Sequence, residues 1–422
     1  MALDRAPDRA SDFHGNSETA GRTAMQSVES WASDTDDALQ LREQMVNALV
    51  QAGDITDECW RQAFTVVARH ALVPRYYRPD NYHEIDATKK TDHTIWLRSV
   101  YSDETLITQK TARTVTSSGT MPGLIAIMLH ALEVRDHHRV LQIGTGTGYT
   151  AGLLCERSGS DQVTTVDIDP ALTQTAEARL ASMGYHPNVV TGNGAHGHPS
   201  GAPYDRILAT CGLRRIPSGW LTQAAPGARI VAPIAKGLIA LDVGDANHAT
   251  GRFLAEGGYF MPLRNSADGS AGCVTDWAKA STRNHSRCTS LGPRDTFYQQ
   301  EMRFLLAVAL PEVSAGQHGP ALDDLIIRDD TGSSARLDTI QDGSFLVTEI
   351  GPRALWAEVE QLHCLWHELH QPRRERFGIS VSPTRQWVWL DSSDSPHTWD
   401  LPPGRQQIAG GSEALRSATD ND

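Results

Sequence analysis

The stretch Val140-Leu-Gln-Ile-Gly-Thr-Gly-Thr-Gly-Tyr149 decides the fold of this chain. It starts as a short apolar strand, and Gly144, Gly146 and Gly148 then alternate with threonines before a helical pattern begins. Glycine lets a backbone turn sharply and lets a ligand approach without a Cβ in its way. Plain packing of a strand against a helix also uses glycine, so the turn alone leaves both interpretations open.

Strands and helices alternate on both sides of this turn. The strands are predicted at 139–143, 162–166, 188–191, 204–210 and 227–233, and the helices at about 121–132, 148–158 and 170–183. Such alternation is typical of βαβ units in a mostly parallel sheet, which binds ligands at the carboxyl ends of its strands. We therefore predict an α/β fold with a doubly wound sheet.

An acidic residue, Asp167, closes the second of these strands, 23 residues after Gly144. Carboxylates at this position accept hydrogen bonds from ribose hydroxyls. The spacing G-x-G-x-G differs from the G-x-G-x-x-G of pyrophosphate-binding turns. Together they favour S-adenosylmethionine over NAD as the ligand.

Composition excludes several classes of protein. The 422 residues suffice for two or three domains. The net charge of −13 argues against a general nucleic-acid binder. No run of 18 apolar residues and no signal peptide are evident, so we expect no membrane span. Six scattered cysteines without a C-x-x-C pair predict neither a disulfide framework nor a zinc site, and indicate a cytoplasmic protein.

The chain outside the alternating region has its own organisation. Helices are predicted to begin near Asp37 and Thr56, whereas residues 75–115 and 268–295 have no clear period. Beyond 295, the pattern predicts two helices and short strands. The predicted domains are a disordered tail at 1–36, a helical segment at 37–99, the α/β domain that carries the glycine turn at 100–265, a smaller C-terminal α/β substrate-recognition domain at 266–408 and a disordered tail at 409–422.

The region from about 100 to 263 resembles the protein-L-isoaspartate (D-aspartate) O-methyltransferase family. Besides the glycine turn, the matching segments are Tyr101–Gln109, Thr120–Pro122, Val166–Pro170, Gly192–Gly194, Tyr204–Cys211 and Ile216–Pro217. The resemblance implies a class I, Rossmann-like methyltransferase that transfers a methyl group from S-adenosylmethionine to a peptide carboxylate.

The resemblance also implies roles for individual residues. The cofactor-binding set is Gly144, Thr145, Gly146, Gly148, Tyr149, Asp167, Ile168, Asn193, Gly194 and Thr210. The catalytic hydroxyls expected beside the methyl donor are those of Thr120, Ser118 and Ser117, and the substrate-binding residues are Tyr101, Asp103, Arg214 and Arg215. Two positions depart from the family, which usually has Glu at Gln142 and Asp at Asn193.

A narrower resemblance involves the block Arg373–Asp391 with Trp399, together with Trp96 and Val100–Asp103. These segments are similar to methyltransferases from ribosomal-peptide gene clusters, most of all the type paired with ATP-grasp enzymes that make graspetides; lanthipeptide and lasso-peptide versions are relatives. The resemblance implies a monomer whose partner is a modified precursor peptide. It would methylate an Asp of that peptide, and the ester would collapse to a succinimide; the final modification would be either this succinimide or the isoaspartate formed by its hydrolysis.

Two other functions stay open at this point. One is general repair of isoaspartyl proteins. The other is a non-catalytic peptide-binding protein, suggested by Gln142 and Asn193.

Several site residues also have simpler interpretations. Thr120 and Ser118 could cap the helix near Leu124, and Arg214 and Arg215 could lie in a solvated loop. The remaining candidates point to no chemistry: His363 and His367 lack a third metal ligand, Cys211 lacks a catalytic partner, and Trp356 and Trp366 fit a hydrophobic core.

Overall fold

The computed structural model describes residues 31–112, 114–265, 285–317, 323–340 and 343–403. Most of the tail predicted at 1–36, and all of that predicted at 409–422, lies outside the described residues. The chain forms two compact units, the first ending at Gly192 and the second beginning at Asn193. No helix in the described ranges is long and apolar enough to cross a bilayer.

The first unit begins with helices whose ends follow from their capping residues. Thr35 caps the first helix by accepting a hydrogen bond from the backbone of Ala38, and Gly53 ends it in the left-handed region. Asp57 caps the second helix in the same way. The helices of this unit are α1 (Asp36–Ala52), α2 (Glu58–Val66), α3 (Arg69–Leu72), α4 (His93–Val100), α5 (Pro122–Leu132), α6 (Tyr149–Ser158) and α7 (Pro170–Ser182).

A four-stranded sheet occupies the region predicted to be irregular, so that prediction is wrong. Its strands are β1 (Arg75–Tyr77), β2 (Glu84–Asp86), β3 (Leu106–Lys110) and β4 (Val115–Gly119), in the order β2-β1-β3-β4. Each strand has only three to five residues, and most of those residues are polar. No strand is long enough to show the alternation by which strands are detected in a sequence.

Three parallel strands carry the glycine turn, as predicted. They are β5 (Val140–Ile143), β6 (Val163–Asp167) and β7 (Asn188–Thr191), paired in the order β5-β6-β7. Helix α6 connects β5 to β6, and α7 connects β6 to β7. Gly152 allows α6 to pack closely, because a Cβ there would lie 3.1 Å from Val67 Cγ1 and 3.4 Å from Leu180 Cδ2.

The second unit contains a sheet in the order β19-β18-β17-β11-β10-β9-β8. Only β8 and β9 are parallel, and the other pairs are antiparallel. The strands are β8 (Tyr204–Ala209), β9 (Ala224–Ile234), β10 (Gly237–Val243), β11 (Ala249–Gly257), β17 (Phe377–Val381), β18 (Gln386–Leu390) and β19 (Thr398–Asp400). The short helix α8 (Ser218–Gln223) lies between β8 and β9 in sequence.

A separate antiparallel sheet in this unit has the order β12-β16-β15-β14-β13. Its strands are β12 (His285–Thr289), β13 (Ser314–Gln317), β14 (Leu325–Arg328), β15 (Ser334–Thr339) and β16 (Phe345–Ile350), and the helices of the same region are α9 (Gln300–Ala309) and α10 (Leu355–Glu368). Strand β12 corrects the loop predicted at 268–295, of which 268–284 lies outside the described residues. The residues of β12 are mostly exposed, so the sequence has no apolar pattern that would predict this strand.

The segment predicted as one C-terminal domain contributes to two sheets. Residues 285–350 form the five-stranded sheet, whereas β17 pairs with β11 and so continues the larger sheet. The core role predicted for Trp356 and Trp366 is confirmed, since their exposed fractions are 0% and 5%. The predicted domain boundaries themselves stay predictions.

Candidate functional site

The glycine turn after β5 has a backbone that only glycine adopts easily. Gly144, Gly146 and Gly148 have φ angles of 97°, 53° and 90°. The Gly144 N–H donates to the Val166 carbonyl at 2.8 Å, which ties the start of the turn to the end of β6. A Cβ at Gly148 would lie 3.3 Å from Leu180 Cδ1, so helix α7 also requires glycine there. The turn therefore needs glycine for two reasons: its φ angles are positive, and helix α7 packs closely against it.

The Asp167 carboxylate lies against this turn. Its Oδ2 accepts a hydrogen bond from the Gly146 N–H at 2.9 Å, and its Oδ1 accepts one from the Asp169 N–H at 3.2 Å. The side chain is half-buried at the carboxyl end of β6. A carboxylate that is hydrogen-bonded to a glycine turn in this way can accept further hydrogen bonds from the hydroxyls of a ribose.

Two residues of the predicted cofactor set turn their side chains inward. Thr145 is 3% exposed, and its Oγ1 lies 2.8 Å from Thr165 Oγ1. Tyr149 is 5% exposed and packs edge-on against Phe64, with ring centroids 6.1 Å apart. Burial raises the pKa of Tyr149 well above its usual value. Both residues are therefore almost fully buried within the protein.

Gln142 lies buried beneath the turn, with 1% of its surface exposed. Its Nε2 donates to the Gly144 carbonyl at 3.0 Å, and its Oε1 accepts from the Thr165 hydroxyl at 3.1 Å. The amide therefore supplies both a donor and an acceptor. A carboxylate, the usual group in the family that this chain resembles, has no proton to donate to Gly144.

Exchanging Gln142 for glutamate should destabilise the protein more at pH 8 than at pH 5. Burial would raise the pKa of the new carboxyl above the value of about 4.3 that it has in the unfolded chain. The stability contribution of the protonated form is then complete below about pH 4.3 and is lost as the pH rises toward the folded-state pKa. The expected difference between the two pH values is about 1–3 kcal/mol.

Chemical denaturation of wild type and Gln142→Glu at both pH values measures this difference. Gln51→Glu on the exposed face of α1 is the matched control and should show no such dependence. An equal loss for Gln142→Glu at pH 5 and pH 8 would contradict the buried amide pair.

The predicted catalytic hydroxyls lie on and just after the β3–β4 hairpin, which the structure brings to the glycine turn. A Cβ at Gly146 would lie 3.8 Å from Ser117 Oγ and 3.9 Å from the Ser118 carbonyl oxygen. Ser117 is 4% exposed, and its Oγ accepts from the Thr108 hydroxyl at 3.2 Å. Ser118 and Thr120 are both half-buried.

The alternative that Thr120 or Ser118 caps the following helix is wrong. The N-cap residue of α5 is Met121, and its side chain makes no capping hydrogen bond. Asp103 Oδ1 instead accepts from the Gly123 N–H at 2.7 Å in the first turn. The threonine and serine side chains are thus not committed to capping α5.

Tyr101 and Asp103, predicted to bind substrate, are both engaged in structural contacts. Tyr101 is 5% exposed, and its hydroxyl lies 2.7 Å from His70 Nδ1. Burial raises the pKa of Tyr101 to about 12. Asp103 holds the start of α5, as described above. Both side chains therefore have hydrogen-bond partners within the protein.

Arg69 is the functional candidate that sequence reasoning missed. The side chain is fully buried, and it donates to four backbone carbonyls. These belong to Val100 at 2.7 Å, Ser102 at 3.2 Å, Glu104 at 3.3 Å and Thr120 at 3.1 Å. A single guanidinium thus fixes both ends of the hairpin. The available signal was the polar pair Arg69 and His70 within the otherwise apolar run from Val66 to Val73.

The second unit contains the other predicted site residues. Asn193 Oδ1 accepts from the Ala195 N–H at 2.9 Å, and the Gly194 carbonyl accepts from Trp220 Nε1 at 2.8 Å. Thr210 follows the last residue of β8 and is half-buried. Arg214 is exposed and Arg215 is half-buried. This unit places Asn193 and Thr210 just after β7 and β8, at carboxyl ends of strands.

The histidine pair does not form part of a metal site in the described ranges. His363 and His367 approach to 3.2 Å between their Nε2 atoms. Among the described residues, no group of three or more His, Cys, Asp or Glu side chains is arranged to hold a metal ion.

Comparisons with known proteins point to one family. A family model described as protein-L-isoaspartate(D-aspartate) O-methyltransferase matches residues 40–249. The protein-L-isoaspartate O-methyltransferase of Methanoculleus marisnigri is 34% identical over 194 residues, which cover 46% of this chain and 76% of the relative. That of Methanopyrus kandleri is 32% identical over 46% of this chain and 76% of its own length.

A solved structure described as a protein-L-isoaspartate O-methyltransferase aligns with a TM-score of 0.49 and 18% identity. The alignment covers 83% of this chain and 100% of the solved one.

The sequence relatives decide the assignment, because more than two thirds of each is matched at over 30% identity. The predicted class I, Rossmann-like fold and the use of S-adenosylmethionine are confirmed by this match together with the βαβ arrangement around the glycine turn. The chain is an S-adenosylmethionine-dependent carboxyl methyltransferase, and it belongs to the protein-L-isoaspartate (D-aspartate) O-methyltransferase family.

Proposed function

We propose that this methyltransferase modifies an Asp side chain of a ribosomally made, enzymatically crosslinked peptide, with a graspetide as the first candidate. The observation that carries the proposal is the folded region beyond the family match, which ends at residue 249. Residues 285–403 add a five-stranded sheet and three strands of the larger sheet. The block Arg373–Asp391, which resembles peptide-modifying relatives, builds β17 and β18. A dedicated substrate explains such additions better than general repair does.

We assign the cofactor to the glycine turn and to residues that follow strands β6, β7 and β8 in the sequence. The backbone of the glycine turn would line the methionine and ribose, and Asp167 would accept from the ribose hydroxyls. The remaining assignments are Ile168, Asn193 and Gly194 beside the adenine and Thr210 below the reacting centre. The fit rests on the left-handed glycines and on the carboxylate beside them. When bound, S-adenosylmethionine supplies an electrophilic methyl group on a sulfonium sulfur.

The chain's own task is to present a carboxylate rather than to activate it. An Asp carboxylate is already ionised at pH 7, so no strong general base is required. Hydroxyls of Thr120, Ser118 and Ser117 would donate hydrogen bonds that fix the position of one carboxylate oxygen. Orientation of this kind contributes on the order of 7–11 kcal/mol in favourable cases. Exclusion of water from this site would remove solvent from the carboxylate before the reaction.

The methyl ester prepares the peptide for a second reaction. The backbone nitrogen after the modified Asp attacks the ester carbonyl, and methoxide leaves with the amide proton as methanol. The product is a succinimide, and its hydrolysis gives isoaspartate or aspartate. The partner expected from this chemistry is a modified precursor peptide, with the enzyme acting as a monomer.

Methyl transfer from labelled S-adenosylmethionine tests the proposal. The substrates are a generic isoaspartyl peptide, an Asp-containing peptide crosslinked by ester bonds, and the linear form of that peptide. We expect transfer to the crosslinked peptide at least about tenfold faster than to the other two, as a site that orients one substrate predicts. A Thr120→Val variant, which removes one hydroxyl and keeps the side-chain shape, should transfer more slowly.

General repair is the second candidate, and a specific observation favours it. The matched relatives carry the name protein-L-isoaspartate O-methyltransferase and align through three quarters of their length. Transfer to the generic isoaspartyl peptide alone would support repair and overturn the proposal. No transfer to any of the peptides would support the non-catalytic alternative.

A further inference from the structure

The second unit contains a cleft of about 510 Å³, and of its lining residues only Arg214 belongs to the set predicted to bind substrate. It is lined by the turn between β9 and β10, by residues 258–262 after β11, and by helix α9. The walls are mainly apolar and include Phe260, Phe297 and Leu306. A concave apolar surface of this size is typical of a ligand or peptide site.

Three cationic side chains line this cleft: Arg214, Lys236 and Arg303. None of the described residues that line it is an Asp or a Glu, although the whole chain has a net charge of −13. Arg214 lies 4.0 Å from Asp330, and both side chains are more than half exposed, so this pair is weak. The cleft is therefore a local cationic surface on an acidic protein.

Lys236 and Arg303 repel each other within the cleft. Burial lowers the pKa of the half-buried Lys236, and the nearby Arg303 guanidinium lowers it further. Arg303 lies over the Tyr259 ring, 4.7 Å from its centroid. Within the described part of the chain, no salt bridge involves either cation, so a bound anion would relieve their repulsion.

The backbone at the rim of the cleft is strained. Ala235 and Lys236 form the two-residue turn between β9 and β10, with φ angles of 49° and 64°. Turns of this shape favour Asn-Gly, because other residues adopt the left-handed region at a cost. Strained residues persist mainly where function needs them. The turn holds the Lys236 side chain in the cleft at that cost.

We propose that this cleft binds an acidic, partly apolar segment of the peptide substrate, outside the Asp that is methylated. The inference rests on the proposed function and adds a recognition site to it. The cleft begins at Gly212, two residues after Thr210, which follows β8. Cations would pair with the acidic side chains, and the apolar walls would take the residues between them. Mixed lining of this kind fits a peptide better than a nucleic-acid backbone, which needs charge alone.

Fluorescence anisotropy with the full chain, saturated with S-adenosyl-L-homocysteine, tests binding directly. The probe is a fluorescein-labelled octapeptide that alternates glutamate and leucine, and it contains no aspartate to be methylated. Two companion probes replace glutamate with glutamine or leucine with serine. We expect each companion to bind about tenfold more weakly or worse, since each lacks one half of the recognition. Equal binding of the glutamine probe, or no binding of the glutamate–leucine probe, overturns the proposal.

Variants locate the bound probe. The double variant Lys236→Gln/Arg303→Gln should bind the glutamate–leucine probe about tenfold more weakly or worse. Lys236→Arg keeps the charge, and its affinity should stay within about threefold of wild type. Arg61→Gln removes a cation from the exposed face of α2 and should have no effect. Unchanged affinity in the double variant overturns the site, as does tighter binding of an octathymidine probe. Because no methyl transfer is measured, failure here leaves the test of the proposed function untouched.

Discussion

Replacing Asp167 with alanine should weaken the binding of S-adenosyl-L-homocysteine by about 100-fold or more. The carboxylate is assigned to the ribose hydroxyls, and each hydrogen bond to a charged group contributes about 1.5–3 kcal/mol. The same carboxylate holds the Gly146 N–H at 2.9 Å, so its loss also loosens the turn. Isothermal titration calorimetry measures the affinity without turnover.

Two further variants make this result specific. Asp167→Asn keeps an acceptor for the Gly146 N–H but removes the charge, and we expect it to bind with intermediate affinity. Asp161→Asn, at an exposed position before β6, removes the same charge and should bind as wild type does. Wild-type affinity in a folded Asp167→Ala protein would contradict the ribose assignment.

Replacing Arg69 with methionine should lower the free energy of unfolding by about 4 kcal/mol or more. Methionine fills much of the buried volume but leaves four carbonyl oxygens without their donor, and each unsatisfied buried group costs about 1–3 kcal/mol. Arg69→Lys should recover part of this loss, because an ammonium lacks the planar fork that reaches four acceptors. Urea denaturation of the variants gives the comparison.

Arg98→Met on the exposed face of α4 is the matched control, with an expected change within about 0.5 kcal/mol. The same variants separate positioning from stability. Since Arg69 holds the Thr120 carbonyl, a folded Arg69→Lys protein should bind S-adenosyl-L-homocysteine normally and still transfer methyl groups more slowly. An Arg69→Met protein as stable as wild type would contradict the role of Arg69 as the anchor of the hairpin.

The parallel strands were predictable because burial on both faces produces continuous apolar runs. Strand β5 has Val140, Leu141 and Ile143 within four residues, and the glycine turn follows at once. The predicted ends of β5, α6, β6 and α7 agree with the structure to within about one residue. The identity of Asp167 as a ligand candidate followed from its place at the end of β6 alone.

The four-stranded sheet could not be predicted in the same way. Its hairpin carries Thr108 and Ser117 on strands of five residues, with irregular register between them. These strands are held by hydrogen bonds and by the distant Arg69 rather than by an apolar pattern. Contacts between residues about 50 positions apart are not visible in local sequence.

The burial of individual side chains in the glycine turn could not be predicted from the sequence either. Thr145 and Tyr149 occupy positions that a motif assigns to the cofactor, and both residues are almost fully buried. Whether a turn residue contributes its backbone or its side chain depends on φ and ψ, which the motif does not specify. Gln142 is similar, because its partner Thr165 lies on the neighbouring strand.

The pairing of β17 with β11 makes the five-stranded sheet an insertion rather than an appendage. The chain leaves the larger sheet after Gly257, builds β12 to β16, and returns at Phe377 to the same sheet edge. A truncation at residue 265 would therefore remove three strands from a continuous sheet. The backbone N–H and C=O groups of β11 would then be unpaired and could bond to another chain, which promotes aggregation. Transfer of the inserted segment, which builds β12 to β16, onto another methyltransferase would need two junctions, one on each side of the segment.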